Sequence, residues 1–180
     1  MDALEKALYA LIQRHDILRT GFEQDDEGLK QIVHGFVDLQ HEVIEAGLWT
    51  EQNILAYTKK WAREPFNLTQ PPLFKSKLLR LNDGWAWYLC FHHIAFDHMS
   101  IVQFAEDINA AYQRALINPE SVSLSPMPLS VVDYAVWQEE HQRIERMRDK
   151  ITYWQDVVPD ASVHLDLPTD FPRPAVFLIK

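Results

Sequence analysis

The run from Leu73 to Leu116 constrains the fold more than any other part of this sequence. "LFKSKLLRL" and "WAWYLCFHH" both read as strands, and "LNDGW" joins them, with Asp83-Gly84 as a hairpin signal. The second segment is apolar on both faces, which predicts a buried central strand. "MSIVQFAEDINAAYQRAL" follows at once. Its Ile101, Phe104, Ala105, Ile108, Ala111, Tyr112 and Ala115 recur at helical spacing and form a predicted buried stripe. Strands and helices are mixed along the chain without strict alternation, so the predicted class is α+β, a mixed sheet with flanking helices.

The remaining segments fill in that class. Leu4 to His15 is an amphipathic helix, with Leu4, Ala7, Leu8, Leu11 and Ile12 on one face. "LKQIVH" and "QHEVIEA" are predicted strands, with "GFVD" turning between them. "EQNILAYTKKWARE" is a second helix with Ile54, Leu55, Thr58 and Trp61 on one side, stopped by Pro65. "NPESVSLSPMP" is a loop, and "LSVVDYAVWQEEH" and "IERMRDKITYWQDVV" are two further helices. Four prolines make residues 159–180 an extended tail to a single domain spanning residues 1–180.

Composition excludes several function classes. The formal charge of −9, with no basic run interleaved with aromatics, argues against nucleic-acid binding. A single cysteine, Cys90, rules out an internal disulfide framework and fits a reducing cytosol, so a cytoplasmic location is expected. Charges within the first helix lead to the expectation that it is not a signal peptide, and no apolar run is long enough to span a membrane.

The chemistry-bearing stretch is "FHHIAFDHMS". Neighbouring side chains on a strand face opposite ways. A strand through His93 therefore puts Trp85, Trp87, Leu89, Phe91 and His93 on one face and Ala86, Tyr88, Cys90 and His92 on the other. At most one of the two histidines is then a base, and a histidine at a strand end beside a helix start is well placed for that work. Asp97 can orient such a ring as in a triad, or lock the turn by pairing with Arg14 or Arg19 of "RHDILRT". No metal is expected, because the His-Glu-x-x-His pattern and an obvious third ligand are lacking. Ser100 lacks a nucleophile elbow, and Cys90 inside an apolar run reads as a structural thiol.

Four motifs in order carry a family resemblance. "RHDILRTGF", "HHIAFDHMS", "VVDYAVWQ" and "YWQDVVPDASVHLDLPTDFPRP" resemble those of the N-terminal lobe of nonribosomal peptide synthetase condensation domains. The His-His-x-x-x-Asp element is shared with chloramphenicol acetyltransferase and other acyltransferases, so the order of all four motifs carries the match. The resemblance implies a chloramphenicol-acetyltransferase-like lobe, one of a pair forming a V. It implies that an acyl donor and an amine acceptor, each usually a thioester on a carrier-protein phosphopantetheine arm, meet at the second histidine. That residue is His93, which positions or deprotonates the acceptor; a neutral imidazole suits the task. His92 is implied as its structural partner, and Asp97 as the partner of Arg19, holding the turn.

Two departures accompany the resemblance. His98 stands where the family has glycine, so its ring is expected to narrow the acceptor route or to bind part of a ligand, with Ser100 as a second ligand-contact candidate. The family's opening strand and its second lobe have no counterpart in this sequence, so a second copy or a partner lobe is expected over the apolar surface. Three readings stay open: carrier-dependent acyl transfer forming an amide or ester, proton abstraction by His93 in a cyclisation, dehydration or isomerisation, and a noncatalytic carrier-docking module or synthetase fragment. No bound cofactor is expected beyond a phosphopantetheine that carries substrate. The expected partners are a carrier protein or a small acyl or peptidyl substrate.

Overall fold

The computed structural model describes residues 2–142, 144–158 and 168–172, with the backbone alone for 144–146. Apart from residues 168–172, the predicted extended tail lies outside the described residues. The chain forms two compact units, Met1–Val136 and Trp137–Lys180.

The first unit opens with α1 (Asp2–Arg14), which carries Asp2 and Glu5 in its first turn and Arg14 in its last, each charge opposing the local end of the helix dipole. Ala7, Leu8, Ala10, Leu11 and Ile12 are buried, as the 3.6-residue period requires. A 3-10 turn (Asp16–Arg19) leads into β1 (Thr20–Asp25) and β2 (Gly28–Val33), an antiparallel pair. Then come β3 (His41–Glu45), α2 (Glu51–Ala62), β4 (Phe74–Arg80), β5 (Trp85–Phe91) and α3 (His98–Ile117). β3, β4 and β5 form a sheet in that order, β3 parallel and β5 antiparallel to β4. α4 (Val131–His141) runs across the boundary between the units, and α5 (Ile144–Val157) belongs to the second.

The mixed sheet with flanking helices is as predicted, and so is the β4–β5 hairpin, closed by the Leu81 amide donating to the Gly84 carbonyl at 2.8 Å. Three expectations fail on strand partnership and helix facing. "LKQIVH" and "QHEVIEA" are strands but do not turn back on each other. β2 pairs with β1, a strand the sequence pattern did not mark. The β1–β2 turn at Asp26-Glu27 is set by Gly28 at φ 123°, a conformation other residues resist, and by Lys30, which grips Asp25 at 2.7 Å and Glu27 at 2.6 Å. "GFVD" is no hairpin turn, because Val37, like Leu39 just beyond it, is drawn into the core.

β5 is an edge strand among the described residues, and β4 is central. Its two-sided apolar character has another source. Trp87, Leu89 and Phe91 pack on the cluster formed by α1 and α3, while Cys90 on the opposite face lies against the end of α2, its thiol 3.7 Å from the Ala62 carbonyl. Apolarity on both faces reports what lies above and below a strand, not what lies beside it.

The predicted stripe of α3 is shifted. Phe104, Ile108, Ala111 and Ala115 are buried as expected, but Ile101 is 52% exposed, Ala105 is exposed and Tyr112 is 37% exposed. Asp107 takes a place in the buried face, at 7% exposure.

Candidate functional site

The ladder of β5 continues one residue past the strand, through the His92 amide to the Leu73 carbonyl at 2.9 Å. The chain then turns over residues 93–95, with the Ala95 amide donating to the His92 carbonyl at 3.1 Å. Strand alternation therefore holds through Phe91, while His93 sits in the turn, and the two imidazoles are separated by the change in backbone direction. The His92 ring is half-buried, edge-on to Phe66 at 5.8 Å, and its Nδ1 accepts the Ile94 amide at 3.1 Å. With Nδ1 an acceptor, any proton on the neutral ring is on Nε2. His93 is exposed.

Asp97 is the N-cap of α3. Its Oδ1 accepts the Ser100 amide at 2.8 Å and the Ser100 hydroxyl at 2.7 Å, and the Asp97 amide donates back to Ser100 Oγ at 3.2 Å. The Ser100 hydroxyl, with the Ser100 amide second and the nearby charge of His93 contributing, holds the Asp97 carboxyl below the ordinary aspartate range.

Arg19 does not pair with Asp97. Its guanidinium reaches Asp16 on its own 3-10 turn and donates to the His34 carbonyl at 2.8 Å. The reason is local: Asp16 lies three residues away on the same turn, and Asp97 is engaged by the cap. Arg14, the other candidate, contacts Asp107 at 3.3 Å and donates to the Ser125 carbonyl at 2.7 Å. His15 beside it donates from Nε2 to the same Asp107 carboxylate at 2.6 Å. "RHDILRT" therefore serves α3 through its first two residues. Sequence reasoning missed this clasp. The signal for it was an acid at the buried helical spacing of Phe104 and Ile108, since a carboxylate placed there needs a partner.

His98 is the first residue of α3, exposed and helical. Among the described residues no non-glycine has positive φ, so this position uses none of the conformational freedom a glycine would bring. Behind the turn lies a cavity of about 110 Å³, lined by His15, Ile17, Leu18, Ala95, Phe96, Ser100, Gln103 and Phe104. His93 is not part of that lining. Burial raises the Cys90 thiol's pKa, opposed by Lys75, which leaves it a poor nucleophile. Among the described residues no group of three or more His, Cys, Asp or Glu is placed to hold a metal, and no helix is long and apolar enough to cross a membrane.

The arrangement thus offers a solvent-reachable imidazole, His93, just past a strand end, beside a fixed carboxylate and a capped helix start whose first residue, His98, is exposed as well. Such a group can accept a proton from a bound ligand.

Comparisons with known proteins agree on the family. The family model for the condensation domain matches residues 1–180. The beauvericin nonribosomal cyclodepsipeptide synthetase of Gibberella fujikuroi is 35% identical over 98% of this chain, which spans 6% of that protein. Tyrocidine synthase 2 of Brevibacillus parabrevis is 35% identical over 97% of the chain, which spans 5% of it. Among solved structures, the X-domain in complex with OxyB from teicoplanin biosynthesis is similar at a TM-score of 0.83 and 29% identity, covering 97% of this chain and 38% of that one. The starter condensation domain of rhizomide synthetase is similar at 0.70 and 26% identity, covering 89% and 39%.

Proposed function

Since the chain belongs to the condensation-domain family, we propose that it takes part in nonribosomal peptide synthesis, with His93 as the base that joins an acyl donor to an amine or hydroxyl acceptor. The observation that carries this is the exposed His93 imidazole at the end of β5, beside the Asp97–Ser100 cap. The donor is a thioester on the phosphopantetheine arm of a carrier protein. The acceptor atom attacks the thioester carbonyl as His93 takes its proton; the new C–N or C–O bond forms, the C–S bond breaks, and the proton leaves with the thiolate. Asp97, fixed by its cap, favours the imidazolium that forms, and His92, turned into packing, supports the bend. On this reading His98 and Ser100 contact the acceptor arm. A partner lobe or a second copy covers the exposed Ile101, Val102 and Leu116 of α3.

The test is turnover of acyl-carrier thioesters with candidate amines by the parent and by His93→Ala. A fall of about a hundredfold or more is expected. Undiminished turnover in the variant removes His93 as the base.

A second reading is favoured by the likeness to the teicoplanin X-domain, which was solved in complex with OxyB. On that reading the chain is a docking module for a partner protein. Partner binding that survives His93→Ala, with no turnover by either protein, would establish it.

A further inference from the structure

We propose that Asp107, gripped by His15 and Arg14, is the positioning residue that sets where His93 stands. The inference rests on the reading of His93 as the base.

Apolar packing around the turn is incomplete. The cavity of about 110 Å³ is lined by Ile17 and Leu18 of the 3-10 turn and by Ala95, Phe96 and residues of the first turns of α3. Side chains lining a void have no partner atoms on that side, so the bend meets the 3-10 turn where Ile17 packs on the cluster that holds Ala95. Its firmest apolar contact is Phe96, stacked on Phe91 at 3.8 Å and edge-on to Phe104 at 5.9 Å. Stacked rings fix a separation well and a lateral offset poorly, since offset stacks are all favourable. The apolar contacts hold α3 on α1, with Phe104, Ile108 and Ala111 in one buried cluster with Ala7, Leu8 and Leu11, but they carry no direction of their own.

The polar clasp adds that direction. The Asp107 side chain is 10% exposed, and its Oδ2 meets His15 Nε2 at 2.6 Å and Arg14 Nε at 3.3 Å. Arg14 is tied in turn to the Ser125 carbonyl at 2.7 Å. Charge-assisted contacts at these distances are directional, and a carboxylate this buried is costly to leave unpaired. The clasp therefore fixes the register of α3 against the end of α1. α3 is one rigid helix from His98 onward, and its cap residue Asp97 ends the turn that carries His93. A slip at Asp107 is transmitted along the helix axis to the cap.

The experiment reads geometry rather than turnover, so its outcome is separate from that of the catalytic proposal. The His93 ring and Ser100 amide resonances are recorded in the full chain for the parent, Asp107→Asn, His15→Gln and Leu79→Val. Leu79→Val trims a buried side chain of β4 outside the cluster that holds Phe104 and Ile108 and controls for general destabilisation. Asp107→Asn is expected to shift or broaden both resonances, His15→Gln to do so less, and Leu79→Val to leave them in place. Adding Ile17→Phe, which fills the cavity, is expected to restore them in Asp107→Asn. If Asp107→Asn does not fold, His15→Gln alone decides. Where turnover is measurable, kcat falls about tenfold or more with KM unchanged. Unmoved His93 and Ser100 signals in a folded clasp variant, or equal movement in Leu79→Val, overturn the proposal.

Discussion

His41 holds an imidazole where one nitrogen is out of reach of water. Its Nδ1 shares a hydrogen bond with the buried Ser76 hydroxyl at 2.8 Å, and Trp87 Nε1 donates to the same oxygen at 2.8 Å. Its Nε2 is buried without a partner. Burial pushes its pKa below the ordinary 6.5, against a pull upward from Glu5. The sign follows from proton counting. Above about pH 6.5 the ring is neutral in both folded and unfolded chains and contributes nothing. As pH falls through that value the unfolded chain takes a proton that the folded chain refuses, so stability declines, and the decline levels off below the folded-state pKa. Urea midpoints measured from about pH 8 to about pH 5 should drop through this window, and His41→Gln should flatten the drop. At the same scale, the HHxxxD stretch was legible as a site candidate because a polar cluster at the end of an apolar strand is unusual. The partners of its aspartate were not legible. Asp97 can reach either an arginine or its own helix start, and only the backbone direction at the turn decides between them.

Helix starts are governed by short side chains that accept the first free amides. α2 begins at Thr50, whose Oγ1 accepts the Asn53 amide at 3.2 Å while Asn53 returns a bond to the Thr50 amide at 3.1 Å. Thr50→Ala should cost about 1 kcal/mol in urea unfolding. Thr50→Ser should cost much less, because the accepting oxygen is kept. Elements of strong helical period were read from the sequence to within a few residues, as α1, α3 and α5 demonstrate. Strand partners were not. A strand's own sequence states which faces are apolar, and β2 and β3 satisfy that equally well whether paired to each other or to β1 and β4.

The first unit rests on side chains with almost no exposure: Leu8, Leu11, Ile12, Phe74 and Leu79. Leu11 lies in the cluster shared by α1, α3 and β4. Leu11→Ala should cost about 2–5 kcal/mol, measured by urea unfolding. A cost below about 1 kcal/mol would mean that this cluster does not hold the unit together.

What the sequence determined by itself was local and periodic: the α+β class, the helices, the hairpin at Asp83-Gly84, and four motifs in family order. The class, the helices and the hairpin follow from dihedral preference and side-chain spacing, which neighbouring residues fix among themselves; the motifs rest on resemblance to a family. The tertiary structure alone decided that β5 lies at an edge among the described residues, that Asp97 caps α3 rather than meeting Arg19, and that Arg14 and His15 converge on Asp107. Each depends on which groups distant in sequence come within a few ångströms, and a charged side chain takes the nearest well-aligned partner the backbone presents.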